Sequence, residues 1–438
     1  MKYILRDANI IIIILLSYFS IAYFVMLQDL RELFPHIIFL PPSILLIGFI
    51  YIFFNNLRYK KCLWRYNLVH VVLYTISLTI ILSITTFYAI DPIHSLLRIL
   101  VSTFYLLVTL FVFLYIIQRM FIDKKHWRKL LSNILIVSAF IIIIGQLLIP
   151  DWKSGIGGVR LSGGTNPNLA GFFGFFMVVW SHFEALTDKH WGKRKLTLWI
   201  LGITILFWSL SRSVILSFII LYILYFFLNV LGFIKRGKVK RGFLLFIPIL
   251  IFLFIIFSFC STFLFDDIKN THLYGLIIDR ISGTHGFETR YNTWKILLTH
   301  FSVNPLFGSI GWWYTSNLLS SFERISIAGS SHHLYVRLLS EVGIIGTVFV
   351  LIFPLIIFIK TLYNCLFKSK NKYIFLKLGF LSSAILALFV GQFFEDKYLV
   401  GIGEFNNSVV VWILALSLFH LSLTKNKEQE DSKNVGGY

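Results

Sequence analysis

A chain of 438 residues of which 57% are hydrophobic, 18% aromatic and only 14% charged has too little polar surface to cover a soluble fold, which excludes an ordinary water-soluble enzyme. The net charge of +20 would suit a nucleic-acid partner if the basic residues formed one module. They are instead dispersed between apolar runs, so no nucleic acid is expected, and the composition reads as an all-α polytopic membrane protein.

Taken in chain order, the apolar runs give about twelve spans, near 8–28, 35–55, 68–88, 95–117, 130–149, 168–186, 196–210, 213–232, 242–264, 334–359, 374–394 and 400–423. No n-region, h-region and small-residue cleavage pattern precedes the first run, so Ala8 to Gln28 is expected to be a retained span. The basic segments "LRYKKCLWRY", "QRMFIDKKHWRK", "DKHWGKRK", "IKRGKVKRG", "KSKNK" and "TKNKEQEDSKN" alternate with less basic ones. By the positive-inside rule they face the cytoplasm, as do both termini. This divides the chain into spans 1–9 (1–264), a long extracytoplasmic loop (265–333), spans 10–12 (334–423) and a disordered cytoplasmic tail (424–438). Cys62 and Cys365 fall in cytoplasmic loops and Cys260 in a span, so no disulfide framework or cysteine metal site is expected. Walker A, dinucleotide-binding and His-Glu-x-x-His patterns are missing from the sequence.

Unusual residues gather on the outer side of this topology. "GGVRLSGGTNPNLAG" places Arg160 in Gly-rich backbone before the sixth span. "SLSRSV" places Arg212 at the tip of a tight helical hairpin. In the long loop, "TRYNTWKILLTHF" puts Tyr291, Trp294, Leu297, Leu298 and Phe301 on one side at helical spacing, an amphipathic helix expected to lie on the membrane surface. "NPLFGSIGWWY" supplies a turn and three aromatics, and "SHHLYVRLLSEVGIIGT" carries two histidines, Arg337 and Glu341 into the mouth of the tenth span. Read singly, Arg212 and Arg160 suit lipid-headgroup anchors as well as phosphate binding, and Trp312, Trp313 and Tyr314 suit an interfacial aromatic belt better than a sugar platform. Arg337 and Glu341, at i and i+4, read as an ion pair at the helix end, and Gly343 and Gly346 read as close helix packing. Read together, arginines, bare Gly-rich backbone and a histidine at headgroup level fit a membrane-borne anionic substrate such as a polyprenyl-diphosphate-linked sugar.

"SHHLYVRLLSEVGIIGT" resembles the His-[Asn/Ser/Gln]-x9-Gly-x-x-Gly-Thr motif of the O-antigen ligase and Wzy-type polysaccharide polymerase superfamily, with His332 at the histidine position. His333 departs from the usual amide or hydroxyl at the second position. "SLSRSV" is similar to that family's Ser-Arg helix-end motif, and "ETRYNTWKILLTHFSVNPLFGSIG" to its Arg-x-x-x-Trp…Asn-Pro-x-x-Gly segment, placing essential arginines at Arg212 and Arg290. "GGTNPNLAGFF" resembles its Pro-Asn element, so the likeness runs from about Arg160 to Thr347.

The resemblance implies a GT-C-like glycosyltransferase of the bacterial cytoplasmic membrane, working on the extracytoplasmic side without a metal or other cofactor. Its donor would be an undecaprenyl-diphosphate-linked glycan, held by Arg212, Arg290 and Arg160. His332 would be the base, with Arg212 and Arg290 stabilising the leaving group. A second glycan, met by Trp312, Trp313 and Tyr314, would be the acceptor. Polymerisation of repeat units is the favoured reaction, ligation to a separate acceptor such as lipid A core the alternative. A lipid-linked oligosaccharide flippase is the competitor from another class. The bilayer and a chain-length regulator complete the expected partners.

Overall fold

The computed structural model describes residues 43, 46–51, 65–122, 126–148, 161, 167–235, 284–321, 333–369 and 372–392. Among them all regular structure is helical. We number the helices α1 (Arg65–Thr85), α2 (Pro92–Ile122), α3 (His126–Leu148), α4 (Pro167–Asp188), α5 (Lys193–Trp208), α6 (Arg212–Lys235), α7 (Thr284–Val303), α8 (Thr315–Ser320), α9 (Leu334–Tyr363) and α10 (Lys372–Gly391). Five stretches are long and apolar enough to cross a bilayer: Arg128–Leu147, Ala170–Asp188, Ser213–Gly232, Leu334–Phe367 and Lys372–Gly391. The shorter apolar stretches Val72–Tyr88 and Pro92–Val108 accompany them. The expected spans at 8–28, 242–264 and 400–423, most of 35–55, and the tail lie outside the described residues.

Packing between apolar helices depends on small residues that let backbones approach. Gly174 of α4 and Gly202 of α5 face one another: a Cβ on Gly174 would stand 2.6 Å from the Gly202 carbonyl oxygen, and one on Gly202 would stand 2.9 Å from the Gly174 oxygen. α10 packs against α6, where Phe375 fills the space over Gly232. α9 lies along α1, with Tyr74 donating to the Val350 carbonyl at 3.1 Å and stacking on Phe353 at 4.5 Å. The interior between these pairs is filled by Leu78, Leu82, Phe175, Phe176 and Phe380, all buried.

At one end of the bundle α3, α4 and α5 are tied by charge. Asp188 receives Arg128 at 2.6 Å and Lys195 at 2.7 Å, and Glu184 pairs with Arg194. Glu184 also accepts from Ser132 at 2.6 Å, and Ser132 in turn accepts from the Trp180 indole at 3.1 Å. Arg128, Arg194 and Lys195 belong to two of the basic segments read as connections, so these cations serve helix association as well as setting a charge bias. Cys365, expected in a loop, is buried in a π-helical turn at Asn364–Lys368, with its sulfur 3.5 Å from the Phe375 carbonyl.

Two expectations are corrected. The amphipathic helix exists as α7, but its buried face is set by its partner α9 rather than by hydropathy. Thr293 and Leu297 are buried and Arg290 and Trp294 half-buried, whereas Tyr291 is 58% and Leu298 44% exposed. The inward ridge therefore runs 290, 293, 294, 297, an i, i+3, i+4, i+7 set that includes polar groups. The second correction is Gly343, which breaks α9 at φ 65 and ψ −169 instead of packing two straight helices together.

Candidate functional site

The end opposite the ion network is where the motif-bearing elements meet. The first turn of α4 rests on the turn between α5 and α6: a Cβ on Gly171 would stand 2.4 Å from Ser209 Oγ and 3.1 Å from Ser211 Cβ. Leu161 donates from its backbone to the Trp208 carbonyl at 3.1 Å, bringing the Gly-rich segment to the same turn. Gly391, closing α10, sits over Ser217 of α6, and the following Gln392 accepts from the Leu334 backbone N–H at 3.0 Å. Tyr335 of α9 donates to the Phe389 carbonyl at 2.8 Å. Finally Trp294 of α7 meets the His333 ring edge-on at 5.2 Å. The starts of α4, α6 and α9, the end of α10 and the inner face of α7 thus form one cluster.

Local chemistry explains each member. The α5–α6 turn closes in three residues, with Leu210 held at φ 49, a costly conformation for a branched side chain. Its serines satisfy the backbone that the turn exposes: Ser209 Oγ donates to the Leu206 carbonyl at 2.7 Å and accepts from the Ser211 N–H at 3.3 Å, both residues being buried. Arg212 is the first residue of α6, where the unpaired N–H groups and dipole of a helix N-terminus favour an anion. Arg290 lies one turn before Trp294 on the inward ridge of α7. Arg160 and His332 lie outside the described residues, each one residue from a described neighbour in the cluster, Leu161 and His333.

His333 is the N-cap of α9. Its backbone is extended, at φ −157 and ψ 99, and Nδ1 accepts from the Val336 N–H at 3.2 Å. Accepting there requires an unprotonated Nδ1, so the proton of the neutral ring is on Nε2. Capping is usually done by Ser, Asn, Asp or Thr, because a short side-chain acceptor reaches the orphan N–H groups. The amide or hydroxyl that the motif has at this position is thus replaced here by another capping acceptor.

The aromatic turn is built against the break in α9. At Gly343 the helix gives up backbone bonds that an apolar environment requires to be satisfied. The loop 305–311 supplies them: Ile344 and Ile345 donate to the Pro305 and Leu306 carbonyls at 2.9 and 3.1 Å. In the other direction Ser309 and Ile310 both donate to the Ser340 carbonyl at 3.1 Å, and Gly311 to that of Glu341 at 3.2 Å. The backbones approach so closely that a Cβ on Gly343 would stand 2.3 Å from the Leu306 oxygen.

Beyond this loop the three aromatics part ways. Trp312 is fully buried, its N–H donating to Ser95 Oγ at 2.8 Å and its indole N–H to Ser102 Oγ at 3.0 Å, both on α2. No face of that ring is open to a sugar in this structure, and its place is that of an anchor. Trp313 is half-buried at φ 63, a strained backbone for an aromatic residue, with the Arg337 guanidinium 3.8 Å over its ring. Tyr314 is half-buried and meets the His94 ring at 5.6 Å.

The Arg337 and Glu341 ion pair is present near the start of α9, at 3.0 Å, and both residues are buried. Glu341 Oε1 also accepts from the Thr315 hydroxyl at 2.7 Å and the Thr315 N–H at 3.3 Å, so one carboxylate joins α9 to the start of α8. The sequence signal for this network was available: a glutamate inside an apolar run, two residues before Gly343. Nearby, Ser309 donates to the His300 carbonyl at 2.7 Å, and burial lowers the pKa of the His300 imidazole.

Among the described residues these elements define a helical protein with several helices of membrane-spanning length, whose motif-bearing elements meet at one end of the bundle. Residues 196–351, from α5 to the second half of α9, match the family model described as O-antigen ligase, which supports the expected O-antigen ligase and polymerase superfamily. That segment contains Arg212, Arg290, Trp312, Trp313, Tyr314 and His332, while Arg160 precedes it. No curated protein matches the chain. The match supports a multi-pass membrane protein of polysaccharide assembly that resembles a glycosyltransferase.

Proposed function

We propose that the protein is a metal-independent GT-C-like glycosyltransferase with about twelve spans, its site on the extracytoplasmic side of the bacterial cytoplasmic membrane. Its reaction is the polymerisation of undecaprenyl-diphosphate-linked oligosaccharide repeats. The observation that carries this reading is that one family segment contains both arginine-bearing elements and the His332 motif, and that α6, α7 and α9 bring those elements toward one cluster.

In this mechanism the donor's anomeric carbon is already activated by its diphosphate. His332 accepts the proton of an acceptor hydroxyl, whose oxygen attacks the anomeric carbon. The carbon–oxygen bond to the diphosphate breaks, its electron pair leaves on the diphosphate, and Arg212 and Arg290 neutralise the developing charge, with Arg160 assisting in donor binding. A single displacement of this kind inverts the anomeric configuration. Trp313 and Tyr314 offer ring surface to the acceptor glycan, and Trp312 holds their loop.

The stretch Asn304 to Arg324 carries no Lys or Arg besides Arg324, which suits an uncharged repeat unit better than a heavily phosphorylated core. Ligation to a separate acceptor is the second reading, favoured by the family's own description. Purified protein in vesicles, given undecaprenyl-diphosphate repeat units alone, should produce a ladder of multiples. No product until a separate acceptor is supplied would replace the polymerase by the ligase, and translocation without transfer would establish the flippase.

A further inference from the structure

A polymerase has two lipid-linked substrates, and each carries a diphosphate. The arginines assigned above serve the donor, while the segment Asn304 to Ser320, which bears Trp313 and Tyr314, contains no Lys or Arg. Arg337 is committed to Glu341 and to the Trp313 ring.

Beside that loop stands Arg98 of α2. It is exposed and forms no hydrogen bond or ion pair among the described residues. It lies six residues into α2, about 9 Å below the helix start and so within reach of phosphate level. Its position relative to the loop is fixed by helical spacing. Ser95, Arg98 and Ser102 are i, i+3 and i+7, and the two serines are those that hold the Trp312 backbone and indole. One turn toward the helix start, His94 contacts Tyr314. On the other flank Ile93 is 75%, Leu97 59% and Val101 43% exposed, a continuous apolar strip beside the cation.

We infer that Arg98, with His94 and Tyr314, forms a second phosphate site that holds the diphosphate of the acceptor lipid, while the apolar strip receives its polyprenyl chain. The inference rests on the polymerase reading, because only there does the acceptor carry a polyprenyl diphosphate. A guanidinium at this depth also suits a phospholipid headgroup, and the shared chemistry is a lipid phosphate.

The test is binding stoichiometry of undecaprenyl diphosphate to the full-length protein in nanodiscs of phosphatidylcholine. Wild type should take two equivalents and Arg98→Ala one. Arg98→Lys should keep two, the second weakened about tenfold because a point charge replaces a bidentate fork. Arg290→Ala should lose the other equivalent. In discs containing phosphatidylglycerol the Arg98-dependent equivalent should persist. Its loss there would identify a bulk headgroup site and overturn the inference, as would a single equivalent in wild type or two in Arg98→Ala. Two equivalents in Arg290→Ala together with one in Arg98→Ala would instead overturn the donor assignment and leave the Arg98 site standing.

Discussion

Gly343→Ala is the substitution whose cost follows most directly from the geometry. At φ 65 and ψ −169 the residue occupies a region that only glycine populates freely, so alanine there costs roughly 1–3 kcal/mol in backbone strain. The new Cβ would stand 2.3 Å from the Leu306 oxygen and 2.4 Å from its carbonyl carbon, so the loop must retreat by roughly 1 Å to restore a van der Waals contact. Such a shift stretches the 2.9 and 3.1 Å bonds from Ile344 and Ile345 beyond hydrogen-bonding range. Two N–H groups left unpaired in an apolar setting add roughly 1–3 kcal/mol each, so the total is roughly 3–9 kcal/mol. Thermal unfolding of purified protein, followed by the loss of monodisperse material, should show Tm lowered by about 5–15 °C. Transfer activity should fall with it, because the Trp313 loop moves. Gly379→Ala is the matched control, since its Cβ would meet Cys365 Sγ at an ordinary 3.6 Å inside a regular helix. Equal Tm and activity for Gly343→Ala and wild type would refute the idea that the broken helix carries the loop.

Arg212→Ala, Arg290→Ala and His332→Ala should each lower transfer by roughly 10²–10³ while the protein stays in the membrane at normal level, measured by product formation and by immunoblot. His333→Asn should keep its activity because Asn also caps a helix, whereas His333→Ala should lose roughly 1 kcal/mol of stability in a melting assay. Glu341→Ala strands a buried guanidinium and should cost roughly 3–5 kcal/mol, and replacing Arg337 and Glu341 together by methionine should cost less than either single change, as a denaturation series on the three variants would show. Reporter fusions after Arg65, Arg128 and Lys240 should report cytoplasm and those within 266–330 the exterior; a cytoplasmic signal from the long loop would place the whole site in the wrong compartment.

Much of this protein is written in local pattern. Hydrophobic run length marked α3, α4, α6, α9 and α10, because the bilayer demands about 20 apolar residues in a row whatever surrounds them. The tight turn at "SLSRSV" was visible for the same reason: two runs meet with no room for a loop. Motif spacing singled out Arg212, Arg290 and His332 as candidates, since a motif records residue types in order and needs no fold to be read. Tertiary structure decided how such residues are used. The inward face of α7 runs through Arg290 and Thr293 instead of Tyr291 and Leu298, because its burial is dictated by contact with α9. Trp312 and Trp313 are neighbours of one type, yet one is locked onto Ser95 and Ser102 and the other lies under Arg337, a difference imposed by partners over 200 and 24 residues away in the chain. Gly343 looked like a packing glycine because composition cannot distinguish a residue that lets a neighbour come close from one that lets its own backbone turn. That distinction belongs to φ and to the hydrogen bonds the loop 305–311 returns to α9.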